Sequence, residues 1–122
     1  MFSYTKNGRE IGQKYVIANV SKEDERISDY FSIEQRTPLS QVKDVLSKLS
    51  ETITLIKHIE IYPQFRKKGH GEVLLKEIIN ESAGDVLLIA ETTNDFLVDW
   101  YVRSGFEIIG YSSNLPILVF KK

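Results

Sequence analysis

The chain has 122 residues, with 16 Lys and Arg against 17 Asp and Glu for a formal net charge of −1. That balance excludes a general polyanion binder, so any affinity for phosphate or nucleic acid has to come from a local cluster. The absence of cysteine excludes disulfides, thiolate catalysis and cysteine-ligated zinc together. With 42% apolar and 27% charged residues, no signal-like apolar run at the start and no stretch of about 18 apolar residues, the expectation is one cytoplasmic domain, 1–122, with no membrane partner.

Asn7-Gly8 marks a turn. Ile11 to Val20 is rich in β-forming residues, and 27–33 reads as a further strand with poorer alternation. The charged stretch from Ser21 to Arg26 is expected to be the solvated hairpin connection between them. Thr37-Pro38 predicts an N-cap followed by proline at the first helical position. Val42, Val45, Leu46 and Leu49 then form the stripe of a helix ending near Ser50.

Ile53 to Tyr62 is the strongest strand signal. Simple alternation places Ile53, Leu55, Ile59 and Ile61 on one face and Ile56, His58, Glu60 and Tyr62 on the other. Pro63 ends it. Val73, Leu74, Leu75, Ile78 and Ile79 predict a helix to about Ser82. After the Gly84-Asp85 turn, the unbroken apolar run Val86 to Ala90 predicts a strand covered on both faces. Asn94 is placed to cap a short helix running to about Ser104, with Gly105 at its left-handed end. Strands from Phe106 to Tyr111 and from Ile117 to Phe120 follow, joined through Ser112-Ser113-Asn114. The fold class is therefore α/β (mixed α+β). A mostly antiparallel central sheet contains one parallel strand–helix–strand pair and is flanked by helices.

The segment Arg66-Lys67-Lys68-Gly69-His70-Gly71 falls between a strand and a helix. Backbone N–H groups at a helix start are unpaired, and the helix dipole adds partial positive charge there. Two glycines permit close approach to those groups, and three cations stand beside them. The P-loop string Gly-x4-Gly-Lys-Ser/Thr is absent, and a dinucleotide fingerprint needs glycine where Leu74 stands. On its own residues the loop fits a phosphate site and a solvated glycine turn equally well.

Read from Pro63 to Gly71, the same segment resembles the acetyl-CoA motif of the GNAT superfamily of N-acetyltransferases, Pro-x-x-Arg/Gln-x-x-Gly-x-Gly/Ala between a strand and a helix. Asn94, seven residues before Tyr101 in a helix ending at Gly105-Phe106, resembles that family's second signature. The resemblance covers roughly residues 53–111. It implies acetyl-CoA as co-substrate and direct transfer of its acetyl group to a primary amine within a ternary complex.

The same resemblance implies site roles. Tyr101 is the general acid toward the CoA thiolate. The backbones of Ile59, Ile61 and Tyr62 line the pantetheine arm, and one of those amides holds the oxyanion. Arg66, Lys67, Lys68, Gly69, His70, Gly71 and Glu72 hold the pyrophosphate, and Asn94 contacts the pantetheine. Glu60 is the expected general base, with His58 on its face and Glu91 as further candidates and a water chain as the alternative. His58 and His70 lack a third ligand, so no metal is expected.

Relatives of typical length carry two helices after the first strand, whereas the region before Ile53 has room for a hairpin and one helix. The acceptor side is therefore expected to be abbreviated. A protein or peptide amine, a small-molecule amine and an aminoacyl-tRNA all stay open as acceptors. Lys43, Lys48 and Lys57 form no stripe for other nucleic acid. The alternative function is a non-catalytic acyl-CoA-binding regulator or a partner-dependent subunit of the same fold. Ile117-Leu118-Val119-Phe120 is apolar enough to need cover, by a second copy in a homodimer or inside the monomer.

Overall fold

Asn7 and Gly8 take positive φ (53° and 76°) and fold β1 (Phe2–Lys6) back on β2 (Arg9–Ser21), the turn geometry that Asn-Gly favours in hairpins. The computed structural model describes residues 2–90 and 95–122. The other strands are β3 (Thr52–Ile61), β4 (Asp85–Ile89), β5 (Glu107–Ser112) and β6 (Leu115–Phe120). They form one sheet of order β1-β2-β3-β4-β6-β5. The β3–β4 pair is parallel and the rest are antiparallel. Ser113 and Asn114, with φ of 49° and 72°, make the β5–β6 turn.

One face carries α1 (Glu25–Asp29), a π-helical turn (Tyr30–Glu34) and α2 (Leu39–Ser47). The other carries α3 (His70–Glu81) and α4 (Asp95–Arg103). Residues 27–33 are thus helical, not the strand expected. The Asp24 carboxylate accepts the Arg26 N–H at 2.9 Å and caps the helix. Ile27, Tyr30 and Phe31, spaced i, i+3, i+4, are all buried. That period outweighs the weak alternation. Two helical segments therefore precede β3 where one was expected, and they follow the second strand. Helix α2 begins at Leu39 with Pro38 as its cap residue. The Thr37 hydroxyl, expected to cap it, is instead buried against Ser112 Oγ at 2.6 Å.

The faces of β3 also differ from simple alternation. Tyr15 pairs with His58 and Val16 with Ile56, so Lys57 is an extra residue without an opposite number, a β-bulge. Ile53 and Leu55 pack toward α1 and α2, whereas Ile56, Ile59 and Ile61 pack toward α3 and α4. His58, Glu60 and Tyr62 are thereby turned onto the α1/α2 face, not the face of Ile56.

Strand β4 is buried along its whole length. Ile117, Leu118 and Val119 lie in β6 between β4 and β5 and are fully buried. Cover for that run comes from within the chain, so it gives no reason for a dimer. No described helix is long and apolar enough to cross a membrane.

At the start of β4, the buried Asp85 carboxylate accepts the N–H groups of Ser50 and Lys122, each at 3.0 Å, and meets Lys121 Nζ at 3.3 Å. Burial alone would raise its pKa, but the Lys122 and Ser50 N–H bonds and the Lys121 ammonium outweigh it and hold the carboxyl below its usual range. A carboxyl depressed in the folded state stabilises the fold above its unfolded pKa of about 3.9, and the contribution is lost as pH falls through the folded value. Asp85→Asn is expected to cost about 2 kcal/mol at pH 7. In urea unfolding, the gap between variant and parent should close as pH drops below about 3.9.

Candidate functional site

The parallel ladder between β3 and β4 ends at Ile56 opposite Leu88. Strand β3 continues to Ile61 paired with β2 alone, so the two strands part and leave a wedge. The Tyr62 N–H donates to Ile11 O at 2.9 Å, which fixes the phase of the β2–β3 ladder. Gly12 opposite Ile61 and Lys14 opposite Ile59 are then non-hydrogen-bonded pairs. The N–H and C=O groups of Ile59 and Ile61 consequently point away from β2, into the wedge. The Ile61 carbonyl accepts Arg66 Nε there at 2.7 Å. Of the three backbones expected to line the pantetheine, Tyr62 has its amide committed to Ile11, and Ile59 and Ile61 present theirs. Gly12 permits this approach, because a Cβ on it would stand 2.0 Å from Glu60 O.

Beyond Ile61 a 3-10 turn (Pro63–Phe65) leads into the basic loop. Arg66, Lys67 and Lys68 are exposed, and Lys67 has φ of 62°. Gly69, with φ of 80°, is the residue before α3, and the Val73 N–H makes the first helical bond, to Gly69 O at 3.1 Å. The N–H groups of His70, Gly71 and Glu72 therefore have no partner within the helix. A Cβ on Gly71 would sit 3.6 Å from the Trp100 ring and 3.9 Å from the Ile61 side chain, ordinary contact distances. Packing within the chain thus does not demand glycine at 71.

Tyr101 is buried, 7% exposed, in the same core as Ile56, Leu88 and Ala90 at the foot of the wedge. Its ring lies between Trp100 and Phe106, with centroids 5.0 and 5.7 Å away. Glu60 is on the other face, its Oε1 3.9 Å from His58 Nε2. The candidate acid and base are therefore on opposite sides of the sheet, with the wedge between them. Asn94 and Glu91 lie outside the described residues. Desolvation, then the Glu10 carboxylate that accepts its hydroxyl at 3.2 Å, push the Tyr62 pKa up.

Four residues on the α1/α2 face were not singled out from sequence. Lys57 Nζ lies 2.7 Å from Glu34 Oε2, 4.5 Å from the Tyr15 ring centre and 5.4 Å from that of Tyr30. A charge within a run of isoleucines was the available signal, but only the bulge determines where that charge goes. Two surface hollows of about 180 and 220 Å³, the first beside Phe2 and Lys14 and the second between α3 and α4, include neither Tyr101 nor Glu60.

No protein-family model matches the sequence, and no curated protein is significantly similar to it. Solved structures do share its architecture. Arabidopsis thaliana NAA60 in complex with acetyl-CoA superposes with a TM-score of 0.62 at 19% identity, over 97% of this chain and 71% of that one. The N-acetyltransferase of Staphylococcus aureus Mu50 gives 0.60 at 14% identity, over 96% and 66%. PH1933 of Pyrococcus horikoshii OT3 gives 0.61 at 13% identity, over 97% and 62%. The chain thus spans just under two thirds of the length of the last two. The mixed sheet with one parallel pair between helices is the GNAT-type N-acetyltransferase fold, as the two motifs led one to expect.

The two loop glycines should respond differently to alanine. Gly69→Ala is expected to cost about 1 kcal/mol, since an L-residue is forced into the left-handed region. Gly71→Ala should be neutral or stabilising by about 0.5 kcal/mol, as alanine is the better helix former. Thermal unfolding without ligand checks both.

Proposed function

We propose that the chain is an acetyl-CoA-dependent N-acetyltransferase acting on a primary amine. The observation that carries this reading is the wedge. The strands β3 and β4 part after Ile56 and Leu88, and the freed edge of β3 runs directly into the glycine loop and the N-terminus of α3. An extended pantetheine arm can add to that edge as a strand does, pairing with the amides of Ile59 and Ile61. The pyrophosphate then meets the N–H groups of His70, Gly71 and Glu72 with the charge of Lys67 and Lys68 beside it. A glycine at 71 lets the ligand approach, a reason that packing in the free chain does not supply. NAA60, which shares the fold, is seen with acetyl-CoA.

In this reading the amine arrives from the α1/α2 face. An alkylammonium has a pKa of about 10.4 and must lose a proton before it attacks. Glu60, beside His58, is the base, acting directly or through water. The Ile59 or Ile61 amide stabilises the oxyanion. Tyr101, across the wedge, protonates the leaving thiolate. Asn94 is assigned the pantetheine contact that its place in the second motif implies.

Trp100 is the chain's single tryptophan and flanks Gly71, so its fluorescence reports on the loop. Titration with acetyl-CoA should give a saturable change, weakened about tenfold when Lys67 and Lys68 are both replaced by alanine. Absence of any change, or of heat in calorimetry, at millimolar acetyl-CoA defeats the proposal. A thiol-release screen over small amines, peptides and aminoacyl-tRNA identifies the acceptor. With that acceptor, Tyr101→Phe should lower kcat about 10²-fold with KM little altered. A variant as fast as the parent removes Tyr101 from the acid role. Binding without thiol release from any amine is the signature of a non-catalytic acyl-CoA regulator.

A further inference from the structure

The wedge is bridged on its α1/α2 side. The π-helical turn ends at Glu34, and residues 34–37 cross from β3 to β5. At the β3 end, Glu34 holds Lys57 at 2.7 Å. At the β5 end, Thr37 and Ser112 share a buried hydroxyl hydrogen bond of 2.6 Å, and the Gln41 side chain donates to Tyr111 O. Strands β4 and β6 lie between these two anchors. They do so at the same height, because the Ala90 N–H bonds to Pro116 O and Pro116 pairs with Tyr111. The crossing is shaped by Gln35 N–H to Tyr30 O (3.0 Å), Thr37 N–H to Phe31 O (2.8 Å) and a left-handed Arg36 (φ 53°). It is therefore tied to β3, one bank of the wedge, and to β5, with β4 and β6 between the two anchors.

One amine already lies beneath it. The Lys57 side chain is only 16% exposed, its ammonium held by one carboxylate and two tyrosine faces, the chemistry of an amine-binding pocket. Lys57 is two residues, about 6.6 Å along a strand, from Ile59, whose amide faces the wedge. A lysine side chain covers that distance by turning about its own bonds.

Resting on the acetyl-CoA reading of the wedge, we propose that Lys57 is a self-acetylation site. The Lys57 ammonium gives a proton to Glu34, and the freed Nζ swings from the ring pocket to attack the thioester carbon. The N–C bond forms as the C–S bond breaks, and CoA leaves as the thiolate. The nitrogen loses two protons in all: one ends on the CoA thiol and the other reaches solvent through Glu34. The acetylated side chain carries no charge, so the Glu34 pair and both ring contacts are lost. That frees the β3 end of the crossing and opens the face from which an external amine approaches.

The test is to incubate the full chain with acetyl-CoA and follow intact mass and peptide maps. The expected result is one acetyl group, on Lys57, added at a rate per chain that does not change on dilution. Lys57→Arg keeps the charge and the ring contacts and should abolish that modification while still binding acetyl-CoA by the Trp100 signal. Lys57→Gln imitates the product and should speed amide hydrogen exchange in residues 34–37. Labelling that slows on dilution means transfer between chains and overturns the proposal. So does acetylation scattered over exposed Lys43, Lys67 and Lys68 with Lys57 untouched. Acetyl-CoA binding without Lys57 modification overturns this inference alone. No binding at all removes the function proposed above as well.

Discussion

The extra residue at Lys57 is the constraint from which the site follows. A bulged strand has two residues where its neighbour has one, and it bends and twists locally. In β3 this falls one residue past the last pair with β4. The bend coincides with the point where the strands separate, and it leaves Ile59 and Ile61 with backbone groups facing open space. It also inverts the side-chain alternation, turning Ile59 and Ile61 into the α3/α4 core and Glu60 and His58 onto the opposite face. With continued pairing and strict alternation, β3 would instead be an ordinary central strand with no free edge.

Charge follows the same division. The cations of the loop stand at the α3 end, where the unpaired N–H groups and the helix dipole already favour an anion. Glu34, Glu60 and His58 lie on the α1/α2 face, and the Lys57 ammonium held there is matched to Glu34 and to two ring faces. A donor carrying several phosphates and an acceptor carrying an ammonium would each meet the complementary side. The separation costs little, because the sheet and its two cores lie between the two groups.

Much of the second half was legible in the sequence. Val86 to Ala90 read as a doubly covered strand because its apolar run is unbroken, and β4 is buried throughout. Gly105 read as the left-handed end of a helix because few other residues tolerate that conformation, and it has φ of 104°. The first half was harder. Ile27, Tyr30 and Phe31 satisfy a helical period over a stretch too short to beat an apparent strand, and the Asp24 cap that decides the matter is one residue among six polar ones. The Lys57 bulge leaves no local mark, since two-residue alternation continues through it in the sequence. Its position is set by pairing with Tyr15 and Val16, more than forty residues earlier. Thr37 carried a correct capping chemistry, but tertiary structure gave its hydroxyl to Ser112, at the far edge of the sheet.

Asp85 was described above as a buried carboxylate with three donors, but its place gives it a mechanical meaning. It stands where β4 opposite β3 begins, binding Ser50, two residues before β3, and Lys122, two residues after β6, to a single point. The parallel pair is thus clamped at one end and free at the other, like tongs riveted at the heel. Anything seated between the tips meets β3 at and beyond the bulge, where its pairing with β4 has already ended. Strand separation can therefore vary where a ligand would sit while the register of the remaining strands stays fixed.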